Sequence, residues 1–193
     1  ILACVSYPGY DNNRLANQMD TAYWAKLNTD ESSPLYNKAT QQKTAPGSTF
    51  KPLIAVAGLS EGIITPTSII NCNGLFGEGL VNESDYVHCH QLSGHGDLNI
   101  VGAIQNSCNV FFCTLGYRLG LDENGTFTQK RSLEMIQKYA DMFKLDEKTG
   151  IEISETDPNV TDSLPIPSSI GQGTNNYTTT CLLYTSPSPR DIS

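Results

Sequence analysis

The sequence predicts one globular domain that combines α-helices with β-strands. Its 193 residues are enough for a single domain with a hydrophobic core. Apolar residues make up 38% of the chain and charged residues 17%, which is typical of a folded protein rather than a disordered one. Apolar stretches of helical length alternate with short apolar segments set among Gly, Asn and Ser residues. Together these three observations favour a single domain that contains both helices and strands.

The first forty residues predict a strand, a turn and a helix. Residues 1–6 form an apolar run that predicts a buried strand, and Pro8-Gly9 predicts a turn. A helix is expected over about 14–26, followed by a polar loop at 29–34. Because the chain opens inside an apolar run and without an initiator Met, we expect the natural protein to begin upstream.

An apolar run after a Pro-Gly breaker predicts the next helix. The run ends at Gly58, so Ser48 is expected at or near the N-terminus of that helix. Further elements are predicted as strands at 68–70 and 86–89, and as helices at 98–105, 110–119 and 132–143. Asn99 is suited to cap the first of these helices. In the last helix the core positions are expected to be Leu133, Ile136, Tyr139 and Phe143.

Composition excludes some classes of function. Twenty acidic residues against twelve basic ones give a net charge of −8, which argues against a nucleic-acid partner because phosphate binding needs clustered Lys and Arg. No stretch approaches the roughly 20 apolar residues of a membrane span. Six cysteines are too few for a disulfide scaffold at this length, and they do not settle the cellular compartment.

Ser48 and Lys51 have the spacing of a nucleophile and its base. In a helix, positions i and i+3 share a face, so the amine comes within reach of the hydroxyl. A serine is a weak nucleophile until a neighbouring group takes its proton, and a lysine can do so when burial lowers its pKa. By itself the tetrapeptide is more typical of an N-cap serine followed by a solvated lysine.

The surrounding residues carry a family resemblance. The stretch Ala-Pro-Gly-Ser-Thr-Phe-Lys-Pro at 45–52 resembles the first motif of class B penicillin-binding proteins. Ser107-Cys108-Asn109, 59 residues after Ser48, resembles their second motif, S-x-N. Other segments with family counterparts are 3–11, 35–40, 94–96 and 169–173. Residues 1–178 are thus identified as part of a transpeptidase (penicillin-binding) domain, most similar to the elongation-type enzymes.

This resemblance implies an α+β fold of the penicillin-binding protein and β-lactamase type, an antiparallel sheet packed by helices beside a mainly helical subdomain. It implies a D,D-transpeptidase in which Ser48 attacks the D-Ala-D-Ala end of a peptidoglycan stem peptide and is inhibited by β-lactams. Lys51 would be the base, Ser107 would relay protons, and Asn109 would orient Lys51 and hold the substrate amide. The alternative for Ser107 and Asn109 is a helix-breaking turn with caps.

The third family motif, K-T-G or K-S-G, is expected on a strand beyond the residues present. Lys148-Thr149-Gly150 carries the right letters but precedes the 169–173 segment, so its order argues against a catalytic role. We therefore expect a fold truncated at both ends and a fragment that is inactive by itself. Residues 179–193 resemble read-through into foreign sequence and are expected to be a non-native tail.

Four residues predict a structural zinc site. Cys72, Cys89, His95 and Cys108 follow a C-x16-C-x5-H-x12-C spacing and form a soft ligand set. Elongation-type relatives resemble this arrangement, with a metal held by Asp, His and Cys side chains near the S-x-N loop. A disulfide between Cys72 and Cys89, or simply buried thiols, are the alternatives. His88 and His90 would point away from Cys89 on a strand and rank below His95.

The resemblance also implies a setting for the complete protein. Proteins of this family are anchored in the bacterial cell membrane with the catalytic domain outside it, and the residues present contain no anchor. The implied partners are peptidoglycan stem peptides, β-lactams and a membrane glycosyltransferase of the elongation machinery. Two other functions on the same fold remain open: a class D-like β-lactamase and a non-enzymatic β-lactam sensor.

Overall fold

The computed structural model describes residues 3–80 and 82–185 of the chain. The helices are α1 Thr21–Thr29, α2 Lys51–Ser60, α3 Ile100–Gln105, α4 Asn109–Leu119, α5 Gln129–Met142, α6 Pro165–Ser168 and α7 Thr179–Thr185. The strands are β1 Lys43–Thr44, β2 Ile70–Cys72, β3 Leu75–Phe76, β4 Val87–His88, β5 Gly96–Leu98 and β6 Tyr177–Thr178. Short 3₁₀ turns lie at Asn12–Arg14, Gly47–Phe50 and Glu83–Asp85.

The strands form three antiparallel pairs that tie distant parts of the chain together. β1 pairs with β6, β2 with β5 and β3 with β4. In the first pair Lys43 lies opposite Thr178, so the segment just before Ser48 is joined to the last described strand. Helices combined with small antiparallel sheets confirm the predicted α+β class.

The hydrophobic core is built around α4. Eight of the eleven residues of this helix are buried, because α2, α5 and α6 pack against different sides of it. Phe111, Phe112 and Leu115 are fully buried there. Gly58 lets α2 approach closely, since a Cβ at this position would lie 3.1 Å from the side chain of Leu115. The core therefore fixes α2 and α4, the two helices whose N-terminal ends carry the motif residues, relative to each other.

Several predicted helices are confirmed, with small shifts at their ends. Asn99 caps α3 by accepting a hydrogen bond of 2.9 Å from the amide of Gly102, as expected. α4 begins one residue earlier than predicted, with Cys108 at its N-cap. In α5, Ile136 and Tyr139 are buried as predicted, and the predicted core positions Leu133 and Phe143 are half-buried.

The predicted opening strand is wrong over the described residues 3–6. These residues form no strand, and the side chain of Val5 is 76% exposed. The reason is that no described segment pairs with this backbone. Its link to the domain is instead the side chain of Ser6, which donates to the carbonyl of Tyr36 at 3.2 Å. Residues 1 and 2 lie outside the described part of the chain.

The first helix was predicted too early. Arg14 lies in a 3₁₀ turn, and α1 begins after Asp20, whose carboxylate accepts a 2.9 Å hydrogen bond from the amide of Tyr23. Asn17 has a left-handed φ of 61°, which interrupts any continuous helix from Arg14. The β-like segment predicted at 68–70 is also shifted, because β2 runs from Ile70 to Cys72.

The C-terminal segment packs against the domain as far as it is described. In α7, Thr180 and Cys181 are buried, and the hydroxyl of Thr180 donates to the carbonyl of Ala39 at 2.7 Å. The predicted domain boundary at residue 178 stays a prediction, and residues 186–193 of the expected tail lie outside the described residues. Within residues 3–80 and 82–185, no helix is both long and apolar enough to cross a bilayer.

Candidate active site

Ser48 lies in the 3₁₀ turn directly before α2, which agrees with its predicted place at a helix N-terminus. The turn begins at Gly47, which has a left-handed φ of +57°. Phe50 anchors the turn because its side chain is buried and stacks on Tyr177, with 6.2 Å between the ring centroids. Ser48 itself is exposed, so its hydroxyl is accessible to a ligand.

The amine of Lys51 is buried and fully hydrogen-bonded. Only 2% of the residue is exposed. Its three N–H groups donate to the carbonyl of Ser107 at 2.7 Å, the hydroxyl of Ser107 at 3.0 Å and the Oδ1 atom of Asn109 at 2.8 Å. Burial lowers the pKa of Lys51, which the nearby thiols of Cys108, Cys113 and Cys89 oppose only in part. The three donated hydrogen bonds are those of the protonated amine, and the lowered pKa makes it easier for this amine to give up a proton and act as a base.

Ser107 connects Lys51 to Ser48. Its hydroxyl donates a 2.9 Å hydrogen bond to the hydroxyl of Ser48 while it accepts one from Lys51. Ser107 has a left-handed φ of 49°, between the end of α3 and the start of α4. This conformation is costly for a residue with a side chain, and the neighbouring helices hold it in place. The direct approach of Lys51 to Ser48 expected from the helical spacing is therefore replaced by a path through Ser107.

Asn109 joins the same network from the first turn of α4. Its Oδ1 atom accepts from Lys51, and its Nδ2 group donates to the backbone carbonyl of His88 at 3.0 Å. With both ends engaged, the amide is held in one orientation. The structure thus brings together all four predicted catalytic residues, which come from two helix N-termini.

The four predicted metal ligands also converge. The ligand atoms of Cys72, Cys89, His95 and Cys108 all lie within 4.8 Å of one another. The Nδ1 atom of His95 is 3.6 Å from the sulfur of Cys72 and 3.5 Å from that of Cys89. Tetrahedral ligands about 2.3 Å from a zinc ion lie about 3.8 Å apart, so these spacings fit such an ion after small adjustments. Cys72 and Cys89 are both free thiols, so no disulfide joins them.

The thiols of this cluster differ in acidity. Burial raises the pKa of Cys108 to about 12. Burial also opposes ionisation of Cys89, but the backbone amides of Asn109, Gln91 and Val110 outweigh it and lower its pKa. The lowered pKa of Cys89 eases loss of its proton, and a bound cation would displace the proton of Cys108 as well.

Lys148-Thr149-Gly150 has a structural role. The tripeptide lies outside any strand. The amine of Lys148 pairs with Asp157 at 3.2 Å, and Thr149 donates to Glu155 from its amide at 3.0 Å and from its hydroxyl at 2.8 Å. These contacts close a local turn and occupy the groups that a catalytic motif would present to substrate.

Two features of the site were not predicted from the residues. The amide of Gly47 donates to the carbonyl of Gly171 at 2.8 Å, which ties the segment 169–173 to the turn that carries Ser48. A cavity of about 490 Å³ opens beside Asn109 and His88, with apolar walls from Phe127 and the α6 region. The only sequence signal for the first contact was the family resemblance of 169–173, and the cavity had none.

Comparisons with known proteins identify the family of this chain. Residues 1–185 match the family described as penicillin binding protein transpeptidase domain. Peptidoglycan D,D-transpeptidase MrdA of Haemophilus influenzae is 34% identical over 155 residues, 80% of this chain and 22% of the relative. MrdA of Escherichia coli K12 is 30% identical over 155 residues, again 80% of this chain and 22% of the relative. The crystal structure of Pseudomonas aeruginosa PBP2 in complex with WCK 5153 superposes with a TM-score of 0.78 at 25% identity, over 94% of this chain and 41% of that one.

The chain therefore spans about a fifth of the length of these curated relatives. The matches confirm the predicted resemblance to the elongation-type transpeptidases of class B and the predicted fold. The chain belongs to the penicillin-binding protein transpeptidase domain family.

Proposed function

We propose that the complete protein is a peptidoglycan D,D-transpeptidase whose Ser48 is acylated by stem peptides ending in D-Ala-D-Ala and by β-lactams. The observation that carries this proposal is the chain of hydrogen bonds from the exposed hydroxyl of Ser48 through Ser107 to the buried amine of Lys51. This arrangement is suited to acyl transfer because it joins an accessible nucleophile to a base with a lowered pKa. The names of the related MrdA proteins give the same activity.

The network supports a two-step reaction. In the structure Lys51 donates to Ser107 and Ser107 donates to Ser48. Once the Lys51 amine has lost its proton both hydrogen bonds reverse, and the proton of Ser48 passes to Ser107 and the proton of Ser107 to Lys51, as the Ser48 oxygen attacks the carbonyl carbon of the penultimate D-Ala. The C–N bond to the terminal D-Ala then breaks, and that amine leaves with a proton returned through the same path. An amine of a second stem peptide attacks the resulting ester and loses a proton to the network, the C–O bond to Ser48 breaks, and Ser48 regains a proton as a hydroxyl, which leaves the new amide as the cross-link.

The position of Ser48 supports stabilisation of the tetrahedral intermediate. The residue stands at the N-terminal end of the 3₁₀ turn and of α2, where unpaired amides and the helix dipole favour negative charge. The cavity of about 490 Å³ beside Asn109 is within the size range of pockets for small ligands, and it offers room for part of a stem peptide.

We infer in addition that Cys72, Cys89, His95 and Cys108 hold a structural zinc ion. Four protein ligands would close the coordination shell, so the ion would supply stability rather than a site for substrate. Its effect on the active site would pass through two neighbours. Cys108 lies between Ser107 and Asn109, and Cys89 follows His88, whose carbonyl accepts from Asn109. The ion would thereby fix both residues of the S-x-N motif.

For the complete protein we propose a membrane anchor, a catalytic domain outside the cytoplasmic membrane, and a membrane glycosyltransferase of the elongation machinery as partner. These expectations depend on the family resemblance, and they concern parts of the protein other than the residues described.

The proposed activity is tested with the complete protein and a stem peptide that ends in D-Ala-D-Ala. We expect an acyl-enzyme in the intact-protein mass, release of D-Ala, and a cross-linked product when an amine acceptor is added. A parallel incubation with penicillin should give an adduct that persists. Rapid hydrolysis of penicillin would identify a β-lactamase instead, and acylation by penicillin without any reaction of the stem peptide would identify a sensor.

A further inference from the structure

The turn that carries Ser48 is in main-chain contact with a distant loop. We call residues 169–173 the glycine loop. The Gly47 amide donates to the Gly171 carbonyl at 2.8 Å. Gly171 has a φ of +73°, and a Cβ at this position would lie 2.0 Å from the carbonyl oxygen of Gly47, where ordinary contacts begin near 3.4 Å. Only glycine therefore permits this approach, because of both its backbone conformation and its missing side chain.

Contacts with residues other than Gly47 also hold the glycine loop in place. The hydroxyl of the buried Ser168 is 2.6 Å from the hydroxyl of Thr161. The backbone carbonyl of Ser168 accepts a hydrogen bond from the side chain of Asn175 at 3.2 Å. Ser169 packs so closely on α4 that a Cβ on Gly116 would lie 2.7 Å from it. Since α4 also carries Asn109, the loop bridges the helix of the second motif and the turn of the first.

Gly47 itself has little else to hold it. Its φ is +57°, and a Cβ there would meet no atom within 4 Å. Its place is thus determined on one side by the contact with Gly171 and on the other by the start of the 3₁₀ turn. A shift of Gly47 would move Ser48, the next residue, relative to Ser107.

We propose that Gly171 is a positioning residue for the nucleophile: its main chain holds Gly47 so that the hydroxyl of Ser48 stays within hydrogen-bonding distance of Ser107. The inference deepens the proposed function and rests on it, since it assigns to the glycine loop the placement of Ser48. Lys51, Ser107 and Asn109 bond to one another without the loop, so the acidity of the base is independent of Gly171.

The test compares Gly171→Ala with Gly62→Ala and Gly125→Ala in the complete protein. The two controls have left-handed φ values of +68° and +76° and open space around the missing Cβ, so they carry the same backbone strain without a clash. For each variant the rate constant of acylation by penicillin is measured at saturation, apart from the dissociation constant of the first complex. The dependence of the acylation rate constant on pH and the hydrogen-exchange rate of the Gly47 amide are also measured for each variant.

For Gly171→Ala we expect the acylation rate constant to fall about a hundredfold, as for a misplacement of about an ångström. The midpoint of the pH profile should not move, and the Gly47 amide should exchange faster than in either control. Should Gly171→Ala fail to fold, Ser168→Ala loosens the same loop without adding an atom and should give a smaller loss in the same rate constant.

The inference would be overturned if Gly171→Ala were acylated at the rate of the two controls, or if its Gly47 amide exchanged at the wild-type rate. Where Ser168→Ala replaces that variant, an unchanged acylation rate constant would overturn it. If the wild-type protein is not acylated at all, the proposed function fails, and the exchange of the Gly47 amide still decides whether Gly171 holds the turn.

Discussion

The hydroxyl of Ser107 lies 2.9 Å from the hydroxyl of Ser48, although 59 positions separate the two residues in the chain. The same hydroxyl accepts from the amine of Lys51 at 3.0 Å. Ser107 is thus the middle member of the network, and its left-handed φ of 49° is what turns its side chain toward both partners. Within the described residues, the hydrogen bonds that join nucleophile and base pass through this residue.

The hydroxyl of Ser107 should therefore be needed for acylation. Ser107→Ala and Ser107→Gly both remove it, and each should lower the acylation rate constant by about 10²- to 10⁴-fold, as for the loss of a general acid–base group. Glycine relieves the strain of the positive φ, so Ser107→Gly should be the more stable of the two. Stopped-flow measurement of the acylation rate constant checks the first statement, and thermal unfolding of the two variants checks the second. Activity restored by glycine would show that backbone geometry matters at this position and the hydroxyl does not.

The acylation rate should rise with pH as the amine of Lys51 loses its proton. Burial lowers the pKa of Lys51 from its ordinary value of 10.5, so the midpoint of the rise should lie below that pH. The unfolded chain binds this proton more tightly than the folded one. The cost of burying the charge is therefore complete below the folded-state pKa and shrinks as the pH rises toward 10.5, so the free energy of unfolding should increase over that range.

A pH–rate profile of acylation and urea unfolding at several pH values measure the two effects. Lys51→Ala should abolish the rate at every pH, because the Ser48 proton then has no acceptor. A profile with its midpoint at 10.5 or above would contradict the assignment of Lys51 as a base with a lowered pKa.

Zinc removal should weaken acylation through the S-x-N motif. The complete protein purified without added zinc should contain about one equivalent, and Cys108→Ser should lower its zinc affinity at least about tenfold together with penicillin labelling. Cys113→Ser is the matched control, because Cys113 is equally buried in α4 but lies outside the cluster. Metal analysis measures the zinc content of each variant, and the extent of penicillin labelling measures its acylation. Metal-free protein that labels normally, or a mapped Cys72–Cys89 disulfide, would contradict the zinc site.

Lys148 and Thr149 should be dispensable for acylation. The ion pair between Lys148 and Asp157 lies at the surface, where such pairs contribute only about 0–1 kcal/mol to stability. Lys148→Ala and Thr149→Ala should therefore label with penicillin at close to the wild-type rate, whereas Lys51→Ala should not label. A loss with Lys148→Ala as large as with Lys51→Ala would mean that this tripeptide serves as the third motif.

The sequence was most informative where the chemistry is local. Ser48 and Lys51 could be paired because helical spacing is short-range, and the four residues of the proposed zinc site, whose ligand atoms do converge, could be chosen by their softness as a set. The turn of the Lys51 amine toward Ser107 depends on how α2 packs against α4, which spacing within one helix does not encode. Gly171 could not be assigned for the same reason, since its contact with Gly47 joins two segments that are far apart in the chain.

The errors have a related cause. Val5 sits in a run of apolar residues, and such a run predicts a buried strand only if another strand pairs with it. Asn17 and Asp20 delay the start of the first helix to Thr21 through a left-handed backbone and an N-cap, and both are weak signals within a single sequence.

The identity of the acylated residue tests the central claim most directly. The complete protein is treated with a labelled penicillin, digested, and its adduct located by peptide mass. We predict a single adduct on Ser48, absent from Ser48→Ala, because among the described residues (3–80 and 82–185) only this exposed hydroxyl is joined through Ser107 to the buried amine of Lys51. An adduct on another residue, or undiminished labelling of Ser48→Ala, would contradict the account.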